Sequence, residues 1–450
     1  MNNNLSFLRY LKYSNIKDRS ILHKWESFIT ESQWWDKEQV NNFQWGKVKL
    51  LLDYAFENIP YYRELFTDLG GTPHDIKSWD DFMKIPYLTK EIVRERSIDL
   101  ISMKISKSRL KHYTTGGSTG SPLGFFRKQE DEVISRAFML SQWSRVGYKE
   151  TSRRVILRAE PIRNNKLYEK FRFSNDWLLS SYHISKVYIA KYVEFLNHIK
   201  PEFFHVHPST FYNFTLVLLK SNLRLSFDPT AILCGSEIIY DYQRELFERT
   251  YNSRVYSWLG LAEGTIMAGE CEYSRSLHIW PQYSYVELVD ENGLSVKEKG
   301  RSGSIIGTTL RSLETPFIRY RSGDLAVYES DRCDLCGRQH TLLGSIEGRE
   351  QAVIINADGS KSAAHSIPHL IVHKSKAFDS IKLIQIVQNT KGKIVLRLDT
   401  TSDYNDKDET EIRDIINSSF NLSSIDFEYT DVFVKSKSGK HIFFIQNIKE

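Results

Sequence analysis

Two groups of residues in this chain are of the kinds that do chemistry. The first is the run Thr114-Thr115-Gly116-Gly117-Ser118-Thr119-Gly120, followed by Ser121-Pro122. Glycines let the backbone take φ > 0 and approach a bulky group closely. The hydroxyls and successive backbone N–H groups can then line a concave nest for an anion such as a polyphosphate. No Gly-Lys-Ser/Thr closes the run and no helix follows directly, so it is not a Walker loop. Taken alone it reads better as a hairpin or linker. The second group is the knuckle Cys333-Asp334-Leu335-Cys336-Gly337 with Cys271 and His278, which are separated by Glu272 to Leu277. Three thiolates and one imidazole would close a tetrahedral zinc site with no open position, hence a structural one. The alternatives are four unrelated side chains or a knuckle without metal. Cys234 is left over and reads as a buried core thiol.

Four shorter stretches add to these. Gly235-Ser236-Glu237 follows the apolar run Ala231 to Cys234, and Leu259-Gly260-Leu261-Ala262-Glu263 follows Arg254 to Trp258. Both fall at carboxyl ends of expected strands, where open α/β sheets bind ligands. Arg319-Tyr320-Arg321-Ser322-Gly323-Asp324 puts a carboxylate at an expected tight turn, suited to ribose hydroxyls. Ser438-Gly439-Lys440 puts an ammonium at an expected hairpin tip. Singly, each also reads as a strand-end cap, a turn aspartate or a solvated lysine. His205-Val206-His207 places two imidazoles on one face of a strand end. A pocket wall or satisfied core histidines explain them better than a second metal.

The elements that must hold these residues alternate. Leu110 to Thr114 and Leu123 to Phe126 read as strands flanking the Gly-rich loop. A helix is expected from Lys47 to Ile59, closed by Pro60, with Tyr61-Tyr62-Arg63 irregular. Others are expected from Lys90 to Arg96 behind Thr89 and from about Glu130 to Gly147. Strands at Val155 to Ala159, Phe203 to Val206, Ala231 to Cys234 and Arg254 to Trp258 alternate with helices at Ile189 to Ile199, Phe211 to Ser221 and Tyr240 to Tyr251, which suggests a doubly wound sheet. Past Glu287 strands and turns dominate. Beyond about residue 350, strands at Ala352 to Asn356, Lys382 to Gln388, Lys393 to Asp399, Asp431 to Val434 and His441 to Gln446 are expected with two helices, Ser366 to Lys374 and Lys407 to Phe420.

Composition bounds the function. Lys and Arg exceed Asp and Glu by 61 to 56, too little to imply nucleic-acid binding, and the 41% hydrophobic and 26% charged content is that of a soluble globular protein. No apolar run reaches the roughly 20 residues of a membrane helix. Arg9 and Lys12 interrupt the N-terminal apolar patch, which argues against a secretory signal. Four cysteines without an export signal point to a reducing, cytoplasmic setting.

In this order the stretches resemble the adenylate-forming superfamily, most closely its phenylacetate–CoA ligase-like branch and the members found with capsular polysaccharide genes. The resemblance runs from Tyr54-Ala55-Phe56-Glu57-Asn58-Ile59-Pro60-Tyr61-Tyr62 to Lys440. It implies an α/β fold, with a large multi-sheet domain over residues 1–350, its zinc-stapled β-rich part at about 264–345, and a small mobile α+β lid over 351–450. It implies an ATP-dependent ligase that makes an acyl-AMP and passes the acyl group to an acceptor, coenzyme A by default. Thr114, Thr115, Gly116, Gly117, Ser118 and Gly120 would hold the ATP phosphates, with Thr119 among the catalytic residues. Ser236 and Glu237 would border adenine, Glu263 would help hold Mg²⁺, Asp324 would bind ribose, and Gly348-Arg349 would approach the nucleotide at the hinge. Lys440 would be the mobile lysine of adenylation. Carboxylate and ATP are both anions, so Mg²⁺ and an arriving lysine are what the reaction needs. The chain departs from the family pattern at Leu259 (usually Tyr), Ala262 (usually Thr) and Gln351-Ala352 (usually acidic). Loss of the aromatic at 259 removes a face against adenine unless Trp258 supplies it. An amino or hydroxyl acceptor, or a silent nucleotide-binding protein, are the other readings; a homodimer is compatible with the sequence.

Overall fold

The computed structural model describes residues 16–114, 123–158, 162, 164, 166–172, 174–349, 353–364, 366–375, 377, 380–434 and 442–448. Thr115, Gly116, Gly117, Ser118, Thr119, Gly120, Gln351, Ala352, Ser438, Gly439 and Lys440 lie outside the described residues, and of Arg349 only the backbone is described. The helix expected from Lys47 begins already at Lys37, where Asp36 and Gln39 close a reciprocal capping box. Pro60 does not open an irregular connection. It takes the first position of a new helix, Pro60–Asp68, where a missing N–H costs nothing.

Strands β1 (Leu110–Thr114) and β2 (Gly124–Lys128) form an antiparallel hairpin with Thr114 opposite Gly124. The other strands of the large body are β3 (Arg154–Leu157), β4 (Tyr168–Lys170), β5 (Asp176–Leu179), β6 (Phe203–Val206), β7 (Ala231–Gly235), β8 (Arg254–Gly260), β9 (Met267–Gly269), β10 (Leu277–Ile279), β11 (Ser284–Val289), β12 (Ser302–Thr309), β13 (Tyr320–Ser330) and β14 (Leu342–Arg349). They join in one twelve-stranded sheet of order β11-β12-β13-β14-β10-β9-β8-β7-β6-β3-β5-β4. β5, β3, β6, β7 and β8 are mutually parallel, and from β8 to β11 every pairing is antiparallel.

Parallel neighbours need crossovers, and helices supply them. Val155, Phe204, Val206, Ile232, Cys234 and Val255 pack under the helices Ile189–Ile199, Pro208–Lys220 and Asp241–Tyr251. Phe203, Ala231, Leu233 and Tyr256, the alternate residues, pack under the helices Ile16–Ser32 and Gln129–Ser144. Two covered faces explain why β6 and β7 are buried along their whole length.

Residues 353–448 have their own apolar core around Ile386, Leu396, Ile412 and Ile416. β15 (Val353–Ile355) pairs with β16 (Lys361–Ala363), and a four-stranded sheet has the order β19-β18-β17-β20 from β17 (Ile381–Thr390), β18 (Lys393–Thr400), β19 (Ser424–Tyr429) and β20 (Phe444–Gln446). The expected strand Asp431 to Val434 is absent. β19 has taken that place beside β18 with Ile425 buried, while Val432 and Val434 stay exposed. Ile442 N–H donates to the Val434 carbonyl at 3.3 Å, and Lys440, expected at a hairpin tip, lies outside the described residues. No described helix is long and apolar enough to cross a membrane.

Candidate active site and metal cluster

β7 and β8 end side by side, with Gly235 opposite Trp258. The Trp258 indole lies so close over Gly235 that a Cβ there would stand 2.3 Å from its Nε1, so only glycine fits. Immediately beyond, Ser236 takes a left-handed φ of 68° and its hydroxyl is bonded by Arg158. Glu237 accepts the Ser209 amide at 3.0 Å, and its other oxygen is 3.9 Å from His207 Nδ1. Trp258 and Leu259 point to opposite faces of β8: Trp258 toward the face under the helix Gln129–Ser144, Leu259 into the apolar cluster of the antiparallel strands.

Three strands separate β8 from β13 in the sheet order, yet the turn carrying Glu263 meets β13 because the sheet curls. The Tyr320 hydroxyl donates to Glu263 at 2.9 Å. Gly307 of β12 faces the Thr265 carbonyl, which would lie 2.3 Å from a Cβ. Arg311 donates to the Gly264 carbonyl at 3.3 Å, and Arg127 of β2 donates to the Ala262 carbonyl. Arg127 thus ties the hairpin whose loop starts after Thr114 to the Glu263 turn. The sequence singled out neither Arg127 nor Arg311, and it offered Tyr320 only as a neighbour of Asp324; their contacts to the Glu263 turn join segments far apart in the chain.

Asp324 is not at a tight turn. It lies within β13 beside a bulge, with Gly323 at φ 76° and its own N–H donating to Ser322 Oγ at 3.0 Å. Arg349 is opposite it in the β13–β14 register. The segment is anchored by Arg319, itself at φ 49°, whose buried guanidinium grips Glu287 at 2.8 and 3.1 Å and also bonds the Met83 and Ile85 carbonyls. Ser236, Glu237 and Glu263 therefore share one end of the parallel strands, and Tyr320 links Glu263 to the strand that carries Asp324.

The sulfur and imidazole atoms of Cys271, His278, Cys333 and Cys336 all lie within 4.8 Å of one another. A tetrahedral zinc with bonds of about 2.0–2.3 Å needs donors roughly 3.5–4 Å apart, so the set fits that ion. Cys271 sits between β9 and β10, His278 on β10, and the knuckle between β13 and β14. The Tyr273 and Ser274 amides point at Cys271 Sγ at 3.4 and 3.2 Å. His278 Nδ1 meets the Ser276 carbonyl at 3.0 Å, which leaves Nε2 for the cluster. Burial pushes the Cys336 thiol up, but hydrogen bonds from His278 and Arg338 outweigh it and bring it to about 6, so this sulfur is readily a thiolate. Cys234 is fully buried in the core.

No family model matches the chain. It is 23% identical to Protein CapK of Staphylococcus aureus over 422 residues, covering 88% of this chain and 87% of CapK. It is 23% identical to a phenylacetate-coenzyme A ligase of Thermus thermophilus over 71% of this chain and 72% of that protein. Among solved structures, a 2-hydroxyisobutyryl-CoA ligase in the postadenylation state superposes with a TM-score of 0.71 at 17% identity, covering 92% and 93% of the two chains. The amide bond synthetase McbA of Marinactinospora thermotolerans superposes with a TM-score of 0.51 at 13% identity, over 75% and 69%. The chain is thus a homologue of CapK and the phenylacetate-coenzyme A ligases, built on the fold of the adenylate-forming acyl-CoA ligases.

Proposed function

We propose that this protein is an ATP-dependent ligase that activates a carboxylic acid as its acyl-AMP and transfers the acyl group to coenzyme A. The observation that carries the reading is the convergence of Ser236, Glu237 and Glu263 at one end of the parallel strands, with Asp324 linked to Glu263 through Tyr320. Ser236 and Glu237 would border the adenine and Asp324 the ribose. Thr114, Thr115, Gly116, Gly117, Ser118 and Gly120 would receive the phosphates, with Thr119 as a catalytic residue, and Arg349 would approach the nucleotide at the hinge. Bound ATP supplies the phosphoryl centre and Mg²⁺ its charge neutralisation, and Glu263 would be the carboxylate that holds the ion. Lys440 would offset the charge that builds when the acid attacks. In support, Phe443 stands 6.2 Å, centroid to centroid, from Tyr240, four residues past Ser236. Lys440 is three residues before Phe443 in the sequence.

The division is proposed at residue 350, with residues 1–350 holding the nucleotide and acid and 351–450 swinging between the two half-reactions. Cys271, His278, Cys333 and Cys336 are assigned a structural zinc stapling residues 264–345. The similarity to CapK supports a role in surface polysaccharide synthesis in the cytoplasm. The fold is shared with an amide bond synthetase, so an amine acceptor is the second reading. The test is acid-dependent exchange of pyrophosphate into ATP, followed by product analysis with coenzyme A or an amine as acceptor. Absence of exchange across a broad panel of acids would leave a silent nucleotide-binding protein.

A further inference from the structure

The face of the parallel sheet under the helix Gln129–Ser144 is apolar from Phe203, Ala231 and Tyr256 upward, but it changes character at the strand ends. There His205 stands on β6, its Nε2 3.1 Å from Arg158 Nη1. An arginine only donates, so Nε2 accepts and the proton of the neutral ring sits on Nδ1. Burial first, then Arg158, Arg154 and His207, hold this imidazole well below its usual range, and it stays neutral. His205 is 6% exposed, and among the described residues its Nδ1 has no acceptor. The Trp258 indole reaches from β8 over Gly235 of β7, and its buried Nε1–H has no acceptor among the described residues either. Trp143 is the floor beneath both, 4.8 Å from the His205 ring and 6.3 Å from the Trp258 ring. An unmatched buried donor is destabilising, and here two stand on one patch at the carboxyl ends of the parallel strands. Hydrocarbon would leave both unmatched.

We infer that the acid activated by this enzyme carries at least one hydroxyl on its carbon skeleton, and that His205 Nδ1–H and Trp258 Nε1–H hold that oxygen. The inference rests on the ligase reading above. Neutral N–H donors suit a neutral oxygen. The class is a hydroxylated carboxylic acid.

The test uses the full chain and four non-hydrolysable acyl-adenylate mimics, the N-acylsulfamoyl adenosines bearing phenylacetyl, mandelyl, 3-hydroxyphenylacetyl and 4-hydroxyphenylacetyl groups. Calorimetry should find at least one hydroxylated mimic binding at least about tenfold more tightly than the phenylacetyl one. His205→Phe, which keeps the ring on Trp143 but removes the donor, should bring that ratio to near one, and Trp258→Phe should reduce it. If none of the four binds, the adenylate site itself is misassigned and the ligase reading falls with it. If all four bind equally to the wild type, the ligase reading stands and this inference is wrong. A ratio that survives both substitutions is equally fatal to it. Should a variant fail to fold, the wild-type ratio still decides.

Discussion

β3, β6, β7 and β8 run parallel beneath helices on both faces, whereas β9 to β14 run antiparallel and are held at their turns by charged and sulfur-bearing side chains. In the parallel half every residue of β6 and β7 is buried. In the antiparallel half, β9 and β10 are three residues long. Such short strands make few ladder hydrogen bonds, and clamps reinforce their apolar core: the Cys271–His278–Cys333–Cys336 cluster, Arg338 on Glu272 at 2.7 and 2.8 Å, and Arg319 on Glu287. Apolar burial positions the chemistry on one side of β8, and specific pairwise contacts position it on the other.

Removing the metal should break this contrast most visibly. Purified protein should contain about one zinc per chain, and Cys336→Ser should lose it together with more than about 5 kcal/mol of stability, since structural zinc contributes on the order of 10 kcal/mol to small domains. Hydrogen exchange should show amides of β9, β10 and β14 opening while β6 and β7 stay protected. Zinc-free wild type, or one uniform loss of protection, would show that the two halves do not differ in this way. Glu287→Ala comes next. It strands the buried Arg319 guanidinium, so urea unfolding should register a loss of about 3–5 kcal/mol. A loss below 1 kcal/mol would mean that the Met83 and Ile85 carbonyls suffice to hold Arg319.

The same contrast decided what the sequence could reveal. Periodicity found β6, β7, β8 and their helices because two-sided burial leaves predominantly apolar runs such as Ala231 to Cys234. The Cys and His spacing flagged the four residues that the fold brings together. Contacts made by the curl of the sheet were invisible: Tyr320 on Glu263, Arg127 on Ala262 and Gly307 against Thr265 join residues with no pattern in common. Asp324 was expected at a turn because Ser-Gly-Asp is turn chemistry, but the antiparallel pairing with β12 and β14 absorbed it as a bulge. Asp431 to Val434 ends in a short apolar run while Ser424 to Tyr429 alternates, and it is Ser424 to Tyr429 that pairs beside β18.

Two substitutions compare the sides of the site by function. Lys440→Ala should slow adenylation at least about 10²-fold, the scale of one preorganised electrostatic donor, with ATP affinity falling much less. Transfer from a supplied acyl-adenylate should be nearly unaffected; equal loss in both half-reactions would indicate misfolding instead. Asp324→Ala, on the antiparallel side, should weaken ATP binding by about 1.5–3 kcal/mol through loss of a charged hydrogen-bond acceptor. Unchanged affinity by calorimetry would make Asp324 a purely structural member of the bulge.

The smallest effect concerns how the C-terminal sheet meets the parallel half. Phe443 precedes β20 and packs at 54° and 6.2 Å against Tyr240, the residue that caps the helix Asp241–Tyr251 just beyond Glu237. A tilted aromatic pair contributes about 0.5–1.5 kcal/mol beyond area. If this contact favours the orientation that brings Lys440 to the reacting acid, Phe443→Leu should lower the adenylation rate by up to about tenfold, because it lowers the population of that orientation and not the chemistry within it. Tyr240→Leu should do the same, and the double variant should be no worse than either alone, since the second substitution has no contact left to remove. Thioester formation from a supplied acyl-adenylate should hold or rise, as the alternative orientation gains population. Strict additivity in the cycle would show that the two rings act separately and that another contact selects the orientation.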